Sequence, residues 1–140
     1  MHNLIICGHI EKGEGIAKGL GCPTANITVE QGILIPGLGV YIGEATVLHC
    51  EFPALVCIND GRGNGRLKIE VHLLGAFMND LNGEYIEVRI FEKLRDLEPW
   101  NSEDQIRGLI LKDIKDAHSW FVSNDARCVF SKQTDSGCGC

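Results

Sequence analysis

Apolar and polar residues alternate from Leu67 to Leu74, with Leu67, Ile69, Val71 and Leu73 on one side and Lys68, Glu70 and His72 on the other. A period of two predicts a strand with one buried face. The period recurs from Tyr85 to Phe91, just after the Asn82-Gly83 hairpin signal. There Ile86, Val88 and Ile90 are expected inside, with Glu87 and Arg89 outside. Val40 to Val47 and Phe52 to Ile58 have strand composition, and Pro53 argues for an edge or strand-start position. Two shorter extended pieces come earlier, Leu4 to Cys7 leading into His9-Ile10, and Asn26 to Val29. The period then changes. Ile106, Leu109, Ile110, Ile114, Ala117 and Phe121 recur at helical spacing. Ser102, followed three residues later by Gln105, fits a capping box, and Glu103 and Asp104 suit the positive end of the helix dipole.

The pattern thus predicts about six short strands and one amphipathic helix, whose apolar stripe has only the sheet to bury against. The links are rich in glycine: residues 11–21, the segment 32–39 with its Pro36-Gly37 turn, and residues 59–65. Short strands on such links favour a small closed barrel, which leaves no edge strand open to pairing. Residues 1–122 are expected to form the barrel and its helix, and residues 123–140 a flexible tail.

A chain of 140 residues with 44% apolar content is enough for one domain with a real core. No stretch approaches the roughly 20 apolar residues that span a bilayer. The amino terminus lacks the positive start and cleavage site of a secretory signal, so a cytoplasmic location is expected. The formal charge of −6 argues against a nucleic-acid footprint. It leaves room for one polyanionic small molecule held by backbone N–H groups, a metal ion and a lysine. No nucleic-acid or membrane partner is expected, and the chain is expected to act on small molecules as a monomer. Its seven cysteines include no CxxC pair, so a four-ligand zinc site is not signalled. Cys50 and Cys57 lie in or beside apolar runs, as small hydrophobes do.

The candidate chemistry centres on Gly21-Cys22-Pro23-Thr24-Ala25-Asn26. Proline biases its predecessor away from helix. In an extended segment Thr24 and Asn26 project from one face, offering two oxygens of the kind a hard cation accepts. The same pair can instead cap a turn. Gly13-Glu14-Gly15-Ile16-Ala17-Lys18-Gly19 is not a Walker A motif, lacking Gly-Lys-Ser/Thr and preceding a strand. It is either a surface loop or a lid over phosphates, with Lys18 as the lid's charge. Glu70 is either a general base or part of a solvated barrel face. His72 supports it or lines the surface. Arg95 either anchors a carboxylate or approaches a ligand, and Trp100 is either core or a stacking surface.

Together these residues resemble the riboflavin kinase (flavokinase) family, which also forms the C-terminal half of bacterial bifunctional FAD synthetases. Gly21-Cys22-Pro23-Thr24-Ala25-Asn26-Ile27 matches the family's Gly-hydrophobe-Pro-Thr-Ala-Asn-Leu. Gly39-Val40-Tyr41, Ile69-Glu70-Val71-His72-Leu73-Leu74, Leu94-Arg95, and Gln105-Ile106 with Asp113 follow in the family's order. The resemblance implies a six-stranded Greek-key barrel with the helix outside. It implies transfer of the ATP γ-phosphoryl group to the 5′-hydroxyl of riboflavin, giving FMN, with Mg²⁺ or another divalent cation. It assigns Thr24 and Asn26 to the ion and phosphates and Glu70 to the base. Gly13, Gly15, Lys18, Gly19, Gly21 and Pro23 fall to the nucleotide loop, and Arg95 and Trp100 to the flavin side.

Some positions depart from the family pattern. Ala17-Lys18-Gly19-Leu20-Gly21 stands where the family has Gly-Arg-x-Leu-Gly. Lysine keeps the charge but loses arginine's bidentate fork. Asn59-Asp60-Gly61 is not followed by the family's Pro-Thr, and Pro99-Trp100 replaces Lys-Phe. The acidic position after Leu-Arg is shifted or lost at Asp96-Leu97. No adenylyltransferase half is present, so FAD synthesis is not expected. A flavin- or nucleotide-binding module on the same barrel without kinase activity is the alternative.

Overall fold

A computed structural model describes residues 4–12, 24–29, 36–60, 67–74, 81–99 and 102–124. It contains β1 (Leu4–Lys12), β2 (Thr24–Val29), β3 (Gly39–Val47), β4 (Cys50–Asn59), β5 (Lys68–Leu73), β6 (Tyr85–Arg95) and α1 (Glu103–Asn124). The strands close into a barrel in the order β1-β2-β5-β4-β3-β6, and every neighbouring pair is antiparallel. β3, β4 and β5 are consecutive neighbours and β6 returns beside β3, a Greek key.

Alternation fills the inside. Ile69, Val71 and Leu73 of β5 and Ile86, Val88 and Ile90 of β6 belong to one interior cluster with Ile6, Ile10, Ile27, Val47, Val56 and Ile58. Leu67, just before β5, is exposed. A second cluster lies outside the barrel, where Ala117 and Phe121 of α1 pack on Val40, Ile42 and Leu55, flanked by Phe91, Leu94, Ile114 and Trp120. β3 is therefore covered on both faces. β6 runs to Arg95, beyond the expected end at Phe91, because under the helix its outer residues are apolar too and the alternation stops announcing the strand. At the helix start, Ser102 Oγ accepts from the Gln105 N–H at 3.2 Å, supplying one limb of the expected capping box.

Pro53 departs from the edge-strand expectation by lying within β4, opposite Glu44 of β3. Its carbonyl accepts from the Leu74 N–H at 2.9 Å, so its missing donor faces β5 too, one residue beyond the last paired position, Ala54↔Leu73. The proline occupies the end of one ladder, a local edge within a closed barrel. Cys50, read from the sequence as a plain small hydrophobe, is buried and takes part in a disulfide.

β3 and β4 are joined by a two-residue hairpin in which Leu48 and His49 have φ of 55° and 66°. Neither is glycine, and a side chain in this left-handed region costs roughly 1–2 kcal/mol. Replacing His49 by glycine removes that penalty while adding chain entropy to the unfolded state. H49G is therefore expected to stabilise the fold by about 0.5–1 kcal/mol, read as a higher urea midpoint at unchanged slope. A lower midpoint would show that the His49 side chain makes a compensating contact.

Candidate functional site

Strand register assembles a transverse row on the outer wall. Glu11 pairs with Asn26, Asn26 with Glu70, Glu70 with Cys57, Cys57 with Val40, and Val40 with Arg95. These residues face outward because Ala25, Ile27, Ile69 and Val71, which alternate with them, fill the core. The row beside it runs through Thr24, His72, Leu55 and Ile42. One end of this wall is open to solvent at Glu11, and the other passes beneath α1. Asn26 and Glu70 stand where the covered and open parts meet.

The Glu70 carboxylate is partly exposed, and its Oε2 lies 3.1 Å from Lys68 Nζ. On the strand beside it, Asn26 Oδ1 is buried with no hydrogen-bond donor among the described residues, and the residue is engaged through other interactions. Thr28 donates from its hydroxyl to a carboxylate oxygen of Glu11. Asn59 Nδ2 donates to Cys57 Sγ at 3.6 Å, and burial pushes the Cys57 thiol above its ordinary range, which keeps it protonated.

His72, expected to line a polar face, is instead 8% exposed beside the helix-covered Leu55. Burial lowers its pKa, opposed by the nearby carboxylates Glu70 and Asp113. The fold therefore favours neutral imidazole, while the unfolded chain takes up a proton near pH 6.5. Below that pH the unfolded state binds more protons, so stability is full above about pH 6.5 and falls as the pH drops toward the lower folded value. His72→Gln is expected to flatten this part of the stability profile between about pH 5 and 7, as read from urea midpoints against pH. Parallel profiles for the two proteins would contradict a neutral buried His72.

Arg95 takes the carboxylate-anchoring role left open by the sequence, and the carboxylate comes from the helix. Its Nε donates to Asp113 Oδ1 at 2.8 Å and its Nη2 to Oδ2 at 2.7 Å, while Nη1 donates to the Asp96 carbonyl at 3.0 Å. These bonds to Asp113 raise the Arg95 pKa further above its ordinary value. The fork ties the end of β6 to the middle of α1 and fixes the start of the segment that leads into the helix. Asp113 occupies a stripe position between Ile110 and Ala117, so the sequence did carry a signal: a carboxylate on an apolar face needs a cation. Trp120 is structural, stacking on Phe91 at 5.6 Å between centroids and donating from Nε1 to Glu92 at 3.0 Å.

The structure therefore brings Asn26, Glu70 and the backbone of Thr24 together on one wall, with Arg95 at the helix-covered end of the Asn26–Glu70 row. Gly13, Gly15, Lys18, Gly19, Gly21, Pro23 and Trp100 lie outside the described residues, as do residues 125–140. Among described residues, no three or more His, Cys, Asp or Glu side chains form a metal-holding group, and no helix is long and apolar enough to cross a membrane. Sequence reasoning missed the Lys68–Glu70 contact, although a lysine two positions from a glutamate on one strand face was its visible signal.

The fold and wall define a class: a closed six-stranded barrel with an external helix and an Asn–Glu pair across adjacent strands. The sequence profile of the Flavokinase (riboflavin kinase) family matches residues 1–121, and the chain belongs to that family. It is 32% identical over 124 residues to the bifunctional riboflavin kinase/FMN adenylyltransferase of Escherichia coli strain K12, covering 86% of this chain and 39% of that protein. The protein of the same description from Mycoplasma pneumoniae is 28% identical over 117 residues, covering 84% of this chain and 42% of the relative. The chain thus spans about two fifths of the length of these relatives. Among solved structures, a riboflavin kinase from Trypanosoma brucei superposes with a TM-score of 0.68 at 19% identity, covering 91% of this chain and 82% of that one. A macrolide-efflux protein from Streptococcus pneumoniae gives 0.72 at 23% identity, covering 83% of this chain and 38% of that one. At these identities the structural likeness speaks to the fold alone.

Proposed function

We propose that this chain transfers the γ-phosphoryl group of ATP to the 5′-hydroxyl of riboflavin, giving FMN and ADP. The carrying observation is the direct cross-strand pairing of Asn26 with Glu70 on the outer wall. It sets an amide of the phosphate-and-metal motif beside the carboxylate read as base. Phosphoryl transfer asks a protein chiefly for alignment and charge neutralisation, and adjacent strands of a closed barrel supply a rigid frame for both.

In this reading Glu70 accepts the proton of the ribityl hydroxyl. As that proton leaves, the hydroxyl oxygen bonds to the γ-phosphorus, the bond from γ-phosphorus to the bridging oxygen breaks, and ADP departs with the electron pair. Asn26 and Thr24 would hold a divalent cation, Mg²⁺ first of all: an amide and a hydroxyl oxygen suit a hard ion that takes its other ligands from phosphates and water. When bound, that ion neutralises charge on the β- and γ-phosphates. Gly13, Gly15, Lys18, Gly19, Gly21 and Pro23 cover the nucleotide. Arg95 and Trp100 border the flavin, Arg95 by fixing the start of the segment between β6 and α1 through its bond to Asp113.

The test is mass-resolved product formation from riboflavin, ATP and MgCl₂, repeated with other triphosphates and divalent ions. FMN with equimolar ADP is the expected result. Unchanged riboflavin under every combination, with the chain folded, would overturn the proposal. Riboflavin binding without turnover would point to a flavin-binding module on the same barrel.

A further inference from the structure

Lys68 belongs to neither the metal-and-phosphate motif nor the base, yet its ammonium is the nearest described charge to Glu70, at 3.1 Å. It stands on the outer face of β5, two residues before Glu70, with Ile69 between them in the core. The lysine side chain is 46% exposed and the glutamate 20%, so the ammonium occupies the wetter end of the pair. From there it overlooks the Asn26–Glu70 pairing.

Charge is scarce on this wall. Among the described side chains on the outward faces of β1, β2, β5 and β4 near that pairing, Glu11 and Glu70 are carboxylates and Lys68 is the one ammonium. A wall that receives a triphosphate beside two carboxylates needs a cation of its own, because repulsion grows as the phosphates approach. Lys68 meets that need. Its ammonium has three donors, of which Glu70 Oε2 takes one direction, and a flexible point charge suits phosphate oxygens. The resting ion pair is half in water and therefore weak. A multiply charged phosphoryl group outcompetes a single carboxylate for it.

We propose that Lys68 is a phosphate-binding residue, held on Glu70 in the substrate-free chain and turned to the γ-phosphoryl oxygens when the nucleotide arrives. This rests on the kinase reading above. The exchange has a second effect. Glu70 Oε2 is occupied by the ammonium at rest, and moving the lysine to phosphate frees that oxygen to face the ribityl hydroxyl. Nucleotide binding and readiness of the base are thereby linked through one side chain.

The test compares the native chain with Lys68→Met and Lys68→Arg, measuring Mg-ATP dissociation constants by calorimetry and both KM values in FMN formation. Circular dichroism checks that each variant is folded. Lys68→Met is expected to weaken Mg-ATP binding by about tenfold or more and to raise the KM for ATP similarly, with the riboflavin KM within about twofold. Lys68→Arg is expected to restore most of the loss, because it keeps the charge. A purely structural Lys68 would move neither ligand selectively. Equal Mg-ATP affinity in the native chain and Lys68→Met, with FMN still formed, would overturn the Lys68 assignment alone. No Mg-ATP binding by the native chain would overturn the kinase reading and this assignment with it.

Discussion

Glu70→Gln is expected to lower kcat for FMN formation by about 10²-fold or more, about 2.7 kcal/mol of transition-state stabilisation, with both KM values within a few-fold. The substitution keeps the shape of the side chain on β5 and removes its capacity to accept a proton. Its structural cost is small. Among the described residues its ion pair is with the half-exposed Lys68, and such pairs contribute from nothing to about 1 kcal/mol. Activity and stability should therefore separate, with turnover collapsing while the urea midpoint barely moves. A variant retaining half of the native kcat would remove Glu70 from the base role and leave the rest of the wall to be reconsidered.

Asp113→Ala carries the largest expected effect on stability. The carboxylate side chain is 6% exposed and receives two guanidinium bonds from Arg95, whose side chain is 24% exposed. Removing the carboxylate strands a cation beneath the helix, a loss of about 3–5 kcal/mol for a fully buried pair. Because Arg95 keeps some water, a value near 3 kcal/mol is expected, still a large fraction of the 5–15 kcal/mol that typically separates folded from unfolded chains. Replacing both partners, as Arg95→Met with Asp113→Leu, leaves no orphaned charge and should recover most of the loss. Urea titration of the single and double variants measures the difference. A single variant as stable as the native chain would mean that the packing of Ile114, Ala117, Trp120 and Phe121 holds α1 without the ion pair.

The sequence made the barrel legible where one face of a strand meets the core and the other meets water. β5 and the first half of β6 have that environment, and their alternation located them closely. It failed where the helix covers the outer face. There β6 continues to Arg95 with Phe91 and Leu94 pointing into apolar contacts, and a period of two no longer distinguishes inside from outside. The Leu48–His49 hairpin was invisible for another reason: its left-handed residues are not glycine, asparagine or aspartate, so no turn signal marks it. Of the candidate site, the motif order located Asn26 and Glu70, and strand register made them neighbours. Lys68 and the buried state of His72 depend on which strands lie beside β5 and on where α1 crosses the wall, information that local pattern does not hold.

The central claim is that the phosphoryl group leaving ATP arrives on riboflavin. ATP labelled with phosphorus-32 at the γ position, incubated with riboflavin, MgCl₂ and the native chain, follows that group directly. The account predicts label in a product that co-migrates with FMN, in proportion to ADP formed and dependent on riboflavin. Label that stays in ATP or appears only as inorganic phosphate would contradict it.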